Sequence, residues 1–130
     1  MGIEVVHESG RWAIGLLRGS SLDCLKSSDI TNPIVAGNDF ERWNGRAVAD
    51  PFAIFRNGVW YLFFELFQKG SKNAVIGASR SKDLQNWEPL GIVLKQAHHL
   101  SYPFIFEHDG QVYMMPESKS VKRVDILRAL

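Results

Sequence analysis

Apolar, aromatic and β-branched runs recur in the central and later parts of this chain, and short polar turns separate them. The clearest stretch runs Ala49-Asp50-Pro51-Phe52-Ala53-Ile54-Phe55-Arg56-Asn57-Gly58-Val59-Trp60-Tyr61-Leu62-Phe63-Phe64-Glu65. Aromatic and β-branched runs flank Asn57-Gly58, a dipeptide that readily supplies the positive φ angles of a two-residue hairpin turn. A β-hairpin is predicted there. The pattern returns as Ser101-Tyr102-Pro103-Phe104-Ile105-Phe106-Glu107-His108-Asp109-Gly110-Gln111-Val112-Tyr113-Met114-Met115-Pro116-Glu117, at a constant offset of 52 residues. Five of the seventeen positions are identical: Pro51/Pro103, Phe52/Phe104, Gly58/Gly110, Tyr61/Tyr113 and Glu65/Glu117.

Further strands are predicted at Arg11 to Arg18, Ala74 to Ser79 and Trp87 to Leu94, with a short extended piece at Pro33-Ile34-Val35. Polar turns separate them, and the loop from Ala36 to Arg46 is long for a connection between strands. No apolar stripe of helical period and length is present. Ile14-Gly15 precedes Asp50-Pro51 as Ile76-Gly77 precedes Tyr102-Pro103, and Val121 to Leu130 resembles the third strand once more. A self-similar unit of about 50 residues, made of strands, is the signature of a propeller blade. The expected fold is all-β: residues 11–48 give the outer strands of one blade and a long loop, 49–100 a whole blade, and 101–130 the start of the next. About two blades do not close a ring, so two apolar faces are expected to stay open. They would meet either further copies of the chain, by self-association, or the remaining blades of a longer polypeptide.

Composition changes this picture little. Of 130 residues 45% are hydrophobic and 22% charged, and the formal net charge is +1. That balance fits a globular domain and offers no global field to draw nucleic acid or an anionic membrane. The single cysteine, Cys24, rules out an intrachain disulfide and a multi-cysteine zinc site, and is expected as a small, partly buried side chain. The first residues lack the apolar core of a signal peptide, and no stretch is long and apolar enough for a membrane span, which makes the cytoplasm the default location. No cofactor motif is found: Gly10, Gly15 and Gly19 lack a following helix, and neither a nucleophile elbow nor a Ser-His-Asp set can be assembled.

Ala49-Asp50-Pro51-Phe52, Tyr61-Leu62-Phe63-Phe64-Glu65, Ser81 with Trp87, His99-Leu100-Ser101-Tyr102-Pro103-Phe104 and Tyr113-Met114-Met115-Pro116-Glu117-Ser118 together resemble the N-terminal domain family of glucosamine inositolphosphorylceramide transferase and its bacterial relatives. The similarity spans roughly residues 11 to 130. It implies a five-bladed propeller related in shape to glycoside hydrolase families 43 and 32. In those hydrolases three acidic residues stand at the starts of innermost strands and face a central funnel. Asp50 is similar to the base of that set. The equivalent place one repeat on is Tyr102, which cannot serve as a carboxylate, and the third would fall past residue 130.

Each candidate has a plain structural alternative. Asp50 precedes Pro51, a pairing common at strand starts and one that pushes the first residue toward extended geometry. Glu65 and Glu117 recur at the ends of second strands, as a structural tie would, and Glu117 is the better functional candidate of the two, as a weak catalytic one. His99 is expected to face the funnel as a hydrogen-bond donor, whereas adjacent His98 and His99 lack the spacing of metal ligands. Trp43, in the long loop beside Arg42 and Arg46, is the aromatic expected to stack on a sugar, with Arg46 as a second contact. Trp60 and Trp87 read as packing residues. The leading expectation is a carbohydrate-binding or glycan-processing module lined by Asp50, Tyr102 and His99. The alternatives are a glycoside hydrolase-like enzyme with Asp50 as base and a degenerate scaffold for protein contacts.

Overall fold

The computed structural model describes residues 2–8, 11–27 and 29–130. Among them nine strands form three antiparallel sheets. Strands β1 (Gly2–Glu8) and β2 (Arg11–Leu17) pair alone; β3 (Gly45–Arg56), β4 (Val59–Gln68), β5 (Val75–Ser81) and β6 (Glu88–Leu94) lie in sequence order in a four-stranded sheet; β7 (Ser101–His108), β8 (Gln111–Glu117) and β9 (Leu127–Arg128) make a three-stranded one. Strand β1 is an element that the sequence pattern did not predict. The up-and-down meander of β3 to β6 is one propeller blade, and β7 to β9 repeat its first three strands.

Both predicted hairpins form. At their tips Asn57 and Gly58 take φ of 51° and 77°, and Asp109 and Gly110 take 47° and 70°. Positive φ at both central residues gives the turn the same hand of twist as the flanking strands, which is why these dipeptides stand there. The repeat is also one of irregularity. The β3–β4 register slips between Ala49 and Phe52, and the β7–β8 register slips between Ser101 and Phe104, each time with two residues on the first strand against one on the second. One extra residue bulges the leading strand at the same place in both blades.

The core lies where β2, the segment carrying Ile30, Ile34 and Val35, and the helical turn below meet β3, β4 and β5. Ile14, Leu16, Phe40, Val48, Leu62, Phe64 and Leu66 are all fully or almost fully buried there. Strand β2 has no neighbour along much of its outer edge, and side chains supply the missing pairing: Leu16 N–H donates to Asn32 Oδ1 at 2.8 Å, and Asn32 Nδ2 donates back to the Leu16 carbonyl at 2.9 Å. Buried backbone groups need such partners.

The long loop is not irregular. Residues Gly37–Trp43 wind into a 3₁₀ helix whose start is held by Asp39, its Oδ2 accepting the Ala36 N–H at 2.8 Å, and Asn44 ends it at φ 57°. This turn drives Phe40 into the core, edge-on to Phe64 with ring centroids 5.2 Å apart. The other short turns lie at Leu22–Cys24 and Lys119–Val121. Cys24 is exposed there, not partly buried, because a three-residue turn with no buried side chain carries it. Trp87 does act in packing: its Nε1 donates to the Leu84 carbonyl at 3.1 Å and its ring lies against the core.

The two hairpin sheets pack face to face through aromatic edges. Phe52 meets Tyr102 at 4.8 Å and Phe104 at 5.8 Å between centroids, both nearly perpendicular. At the turn end Arg56 reaches across, donating from Nη2 to the Gly110 carbonyl at 2.8 Å and standing 3.6 Å from Glu107. Tyr102 and Phe104 on the last sheet, and Val121, Val124 and Ile126 in the segment that leads to β9, remain exposed.

Candidate functional site

The two bulges create the site. Asp50 and Tyr102 are the residues they displace, at φ of 51° and 45°. Both precede proline, a context that favours extended backbone, so the expected geometry at Asp50 is not what forms. The register slip overrides the local preference and places each residue in the left-handed region, which Asp tolerates and a bulky aromatic rarely adopts. Tyr102 stands 52% exposed, with one ring edge on Phe52.

Behind Asp50 lies Glu65, opposite Ala49 in the β3–β4 ladder and only 5% exposed. Its carboxyl is pushed up from 4.5 to about 7, first by burial, then by the negative charges of Asp50 and Glu117. Three carboxylates from β3, β4 and β8 thus feel one another. Glu65 Oε1 lies 2.9 Å from His99 Nε2, and the Ala74 N–H donates to His99 Nδ1 at 3.1 Å. With Nδ1 accepting, the ring proton sits on Nε2 and points at Glu65.

His99 is therefore no free donor to a funnel. Both ring nitrogens are engaged inside the protein, because the histidine that leads into β7 also has to anchor that loop. Arg46 comes to the same neighbourhood by stacking: its guanidinium lies 5.8 Å from the Phe67 centroid, and Phe67 lies 6.4 Å from the His99 ring. Trp43 does not join. It is half-buried against the core, 5.6 Å from Phe40, with its indole over Gly91. Its placement is that of a packing residue. His98 keeps Nε2 buried without a hydrogen bond among the described residues.

The residue that sequence reasoning underrated is Glu65. The signal was present, since it repeats at Glu117 and falls one position from Asp50 across the hairpin, but its partner His99 is remote in sequence. Glu117 itself is exposed and lines an open groove of about 780 Å³ with Tyr102, Ser118, Lys119, Lys122 and Arg123. Ser118 holds the groove's far wall by donating to the Arg123 carbonyl at 2.8 Å, and Arg123 pairs with Asp125 at 3.0 Å. Among the described residues no three His, Cys, Asp or Glu side chains come together as metal ligands, and no helix is long and apolar enough to cross a membrane.

With paired blades and a repeated bulge in place, comparison with known proteins is informative. The family model described as "Glucosamine inositolphosphorylceramide transferase 1, N-terminal" matches residues 6–130. The chain belongs to this family. It is 36% identical over 137 residues to glucosamine inositolphosphorylceramide transferase 1 of Arabidopsis thaliana, covering 93% of the chain and 18% of the relative. The chain thus spans about a fifth of the length of the curated relatives it matches. Among solved structures, a glycoside hydrolase superposes with a TM-score of 0.58 at 20% identity, over 92% of this chain and 35% of that one. A GH32 beta-fructofuranosidase of Bombyx mori, solved as a mutant in complex with sucrose, gives a TM-score of 0.62 at 17% identity, over 98% of this chain and 30% of that one. At these identities the likeness establishes the β-propeller fold.

Proposed function

We propose that this family member acts as a carbohydrate-binding propeller module of a glycan-processing protein, with its ligand held at the bulged ends of β3 and β7. One observation carries the reading: the same bulge, repeated in adjacent blades, presents the carboxylate of Asp50 and the open ring of Tyr102. Carboxylates accept sugar hydroxyls, and an aromatic face suits the C–H side of a pyranose. Glu117 adds a second exposed acceptor beside Tyr102. The relatives are named for a glucosamine and an inositolphosphorylceramide, and an anionic headgroup of that kind would find Lys119, Lys122 and Arg123 along the groove that begins at Tyr102 and Glu117. The exposed face of the β7–β9 sheet belongs in this reading to a five-bladed ring, completed by further blades or by other copies of the chain, and the mass in dilute solution separates those two.

A glycan array that includes glucosaminides and inositol phosphates tests the proposal. Binding that disappears in Asp50→Asn and in Tyr102→Ala is the expected result, and a blank array from folded protein overturns it. A second reading, hydrolysis with Asp50 as base, is favoured by Glu65, an acid that keeps its proton up to about pH 7 next to another carboxylate. Burial of Glu65 and the tyrosine at position 102 count against it. Release of a chromogenic aglycone that vanishes in Asp50→Asn would promote this enzyme.

A further inference from the structure

Glu65 is buried, and its one ion-pair partner among the described residues, His99, leads into the second bulge. It closes β4 across from Ala49, beside the Asp50 bulge. Through 2.9 Å to Nε2 it holds His99, three residues before Tyr102. The loop that carries His99 is pinned on its other side, by Leu100 N–H to the Ala74 carbonyl at 3.2 Å and Asn73 Nδ2 to the Ala97 carbonyl at 3.1 Å. Only after this anchored loop does the chain turn through the second bulge and set the Tyr102 ring on Phe52.

We propose that Glu65 is the positioning residue of this site: through His99 it seats Tyr102 on Phe52, firmly while its carboxyl is neutral and loosely once it ionises between Asp50 and Glu117. The neutral carboxyl accepts the Nε2 proton without cost. The ionised one adds a third negative charge to a place with little water, and opening the loop is the way to hydrate it. The groups that face Glu65 are Asp50 from β3, Glu117 from β8 and His99 from the loop before β7, with Arg46 lying on the Phe67 ring next to His99. The importance of seating Tyr102 rests on the carbohydrate reading above, whereas the seating itself does not.

The test uses no sugar, so the two ideas fail separately. In the intact chain, the proton–proton NOE between the Phe52 and Tyr102 rings is followed by NMR from about pH 6 to about pH 8.5, with ¹⁵N-labelled histidine reporting the tautomer of His99. The expected result is a His99 signal with the proton on Nε2 at the lower pH, and an NOE that weakens roughly threefold or more with a midpoint near neutrality. Glu65→Gln, which still accepts from Nε2, keeps the NOE throughout. Asp50→Asn, which removes one neighbouring charge, moves the midpoint down by about half a pH unit or more. A constant NOE in the parent chain overturns the proposal, as does the same loss in Glu65→Gln. Should that variant not fold, an unmoved midpoint in Asp50→Asn overturns it equally.

Discussion

Asp50 and Tyr102 share one backbone conformation, φ of 51° and 45°, at bulges a full repeat apart. Aspartate tolerates that geometry, tyrosine rarely adopts it, and glycine would take it more readily than either. Each non-glycine residue held there costs on the order of 1 kcal/mol. On the proposed reading, that cost is kept twice for what the two side chains present.

Replacing Asp50 separates these contributions. Asp50→Gly relieves the strain and one repulsion on Glu65, and is expected to raise stability by up to ~1 kcal/mol in urea unfolding. Asp50→Asn isolates the charge, since asparagine tolerates the same region. Asp50→Val, β-branched in a left-handed site, should lower stability by ~1–2 kcal/mol. Gly and Asn variants that fold well yet bind no glycan would identify the carboxylate as functional.

Glu65 gives the fold a pH dependence of definite sign. Its folded value lies above the ordinary 4.5, at about 7, so the folded chain holds this proton more tightly than the unfolded chain. Its contribution is complete below about pH 4.5 and is lost as pH rises through about 7, by on the order of 3 kcal/mol. Denaturant midpoints recorded across that window should fall with rising pH, and Glu65→Gln should flatten the slope.

Gly91 makes room for Trp43. It sits at φ 98°, and an added Cβ would lie 2.7 Å from the indole. Gly91→Ala is expected to cost ~2–3 kcal/mol, through both strain and collision. Gly58, at φ 77° with open space around it, serves as the control, and Gly58→Ala should cost only ~1 kcal/mol.

The pair Arg56–Glu107 is half-exposed and 3.6 Å long, so Glu107→Gln should change stability by less than ~0.5 kcal/mol. Arg56→Ala also removes the bond to the Gly110 carbonyl and should cost about 1 kcal/mol. Chemical denaturation of the two variants side by side checks the difference.

Much of the architecture was legible in the residues themselves. Asn57-Gly58 and Asp109-Gly110 specify their turns by local sterics, and the aromatic and β-branched runs around them specify the strands. What escaped was decided by tertiary contact. The 3₁₀ turn of Gly37–Trp43 is too short to show a helical period, and β1 escaped although Ser9-Gly10 stands between it and β2 in the sequence. Trp43 reads as a loop aromatic until Gly91, far along the chain, is seen to leave it a berth. Asp50 obeys its register instead of its proline. His99 and Glu65 each give no signal alone, and their meeting depends on how the loop after β6 folds back onto β4.

Beside its aromatic contacts the first hairpin has two polar anchorages, Arg56 near its tip to the next hairpin and Glu65 toward its base to the loop that leads there. Two separated anchorages resist twisting as one cannot. The tip anchorage is electrostatic and open to solvent, hence weakened by salt, while the basal one answers to protons. On the proposal above, ionic strength and acidity would therefore act on this hairpin separately, each at its own end.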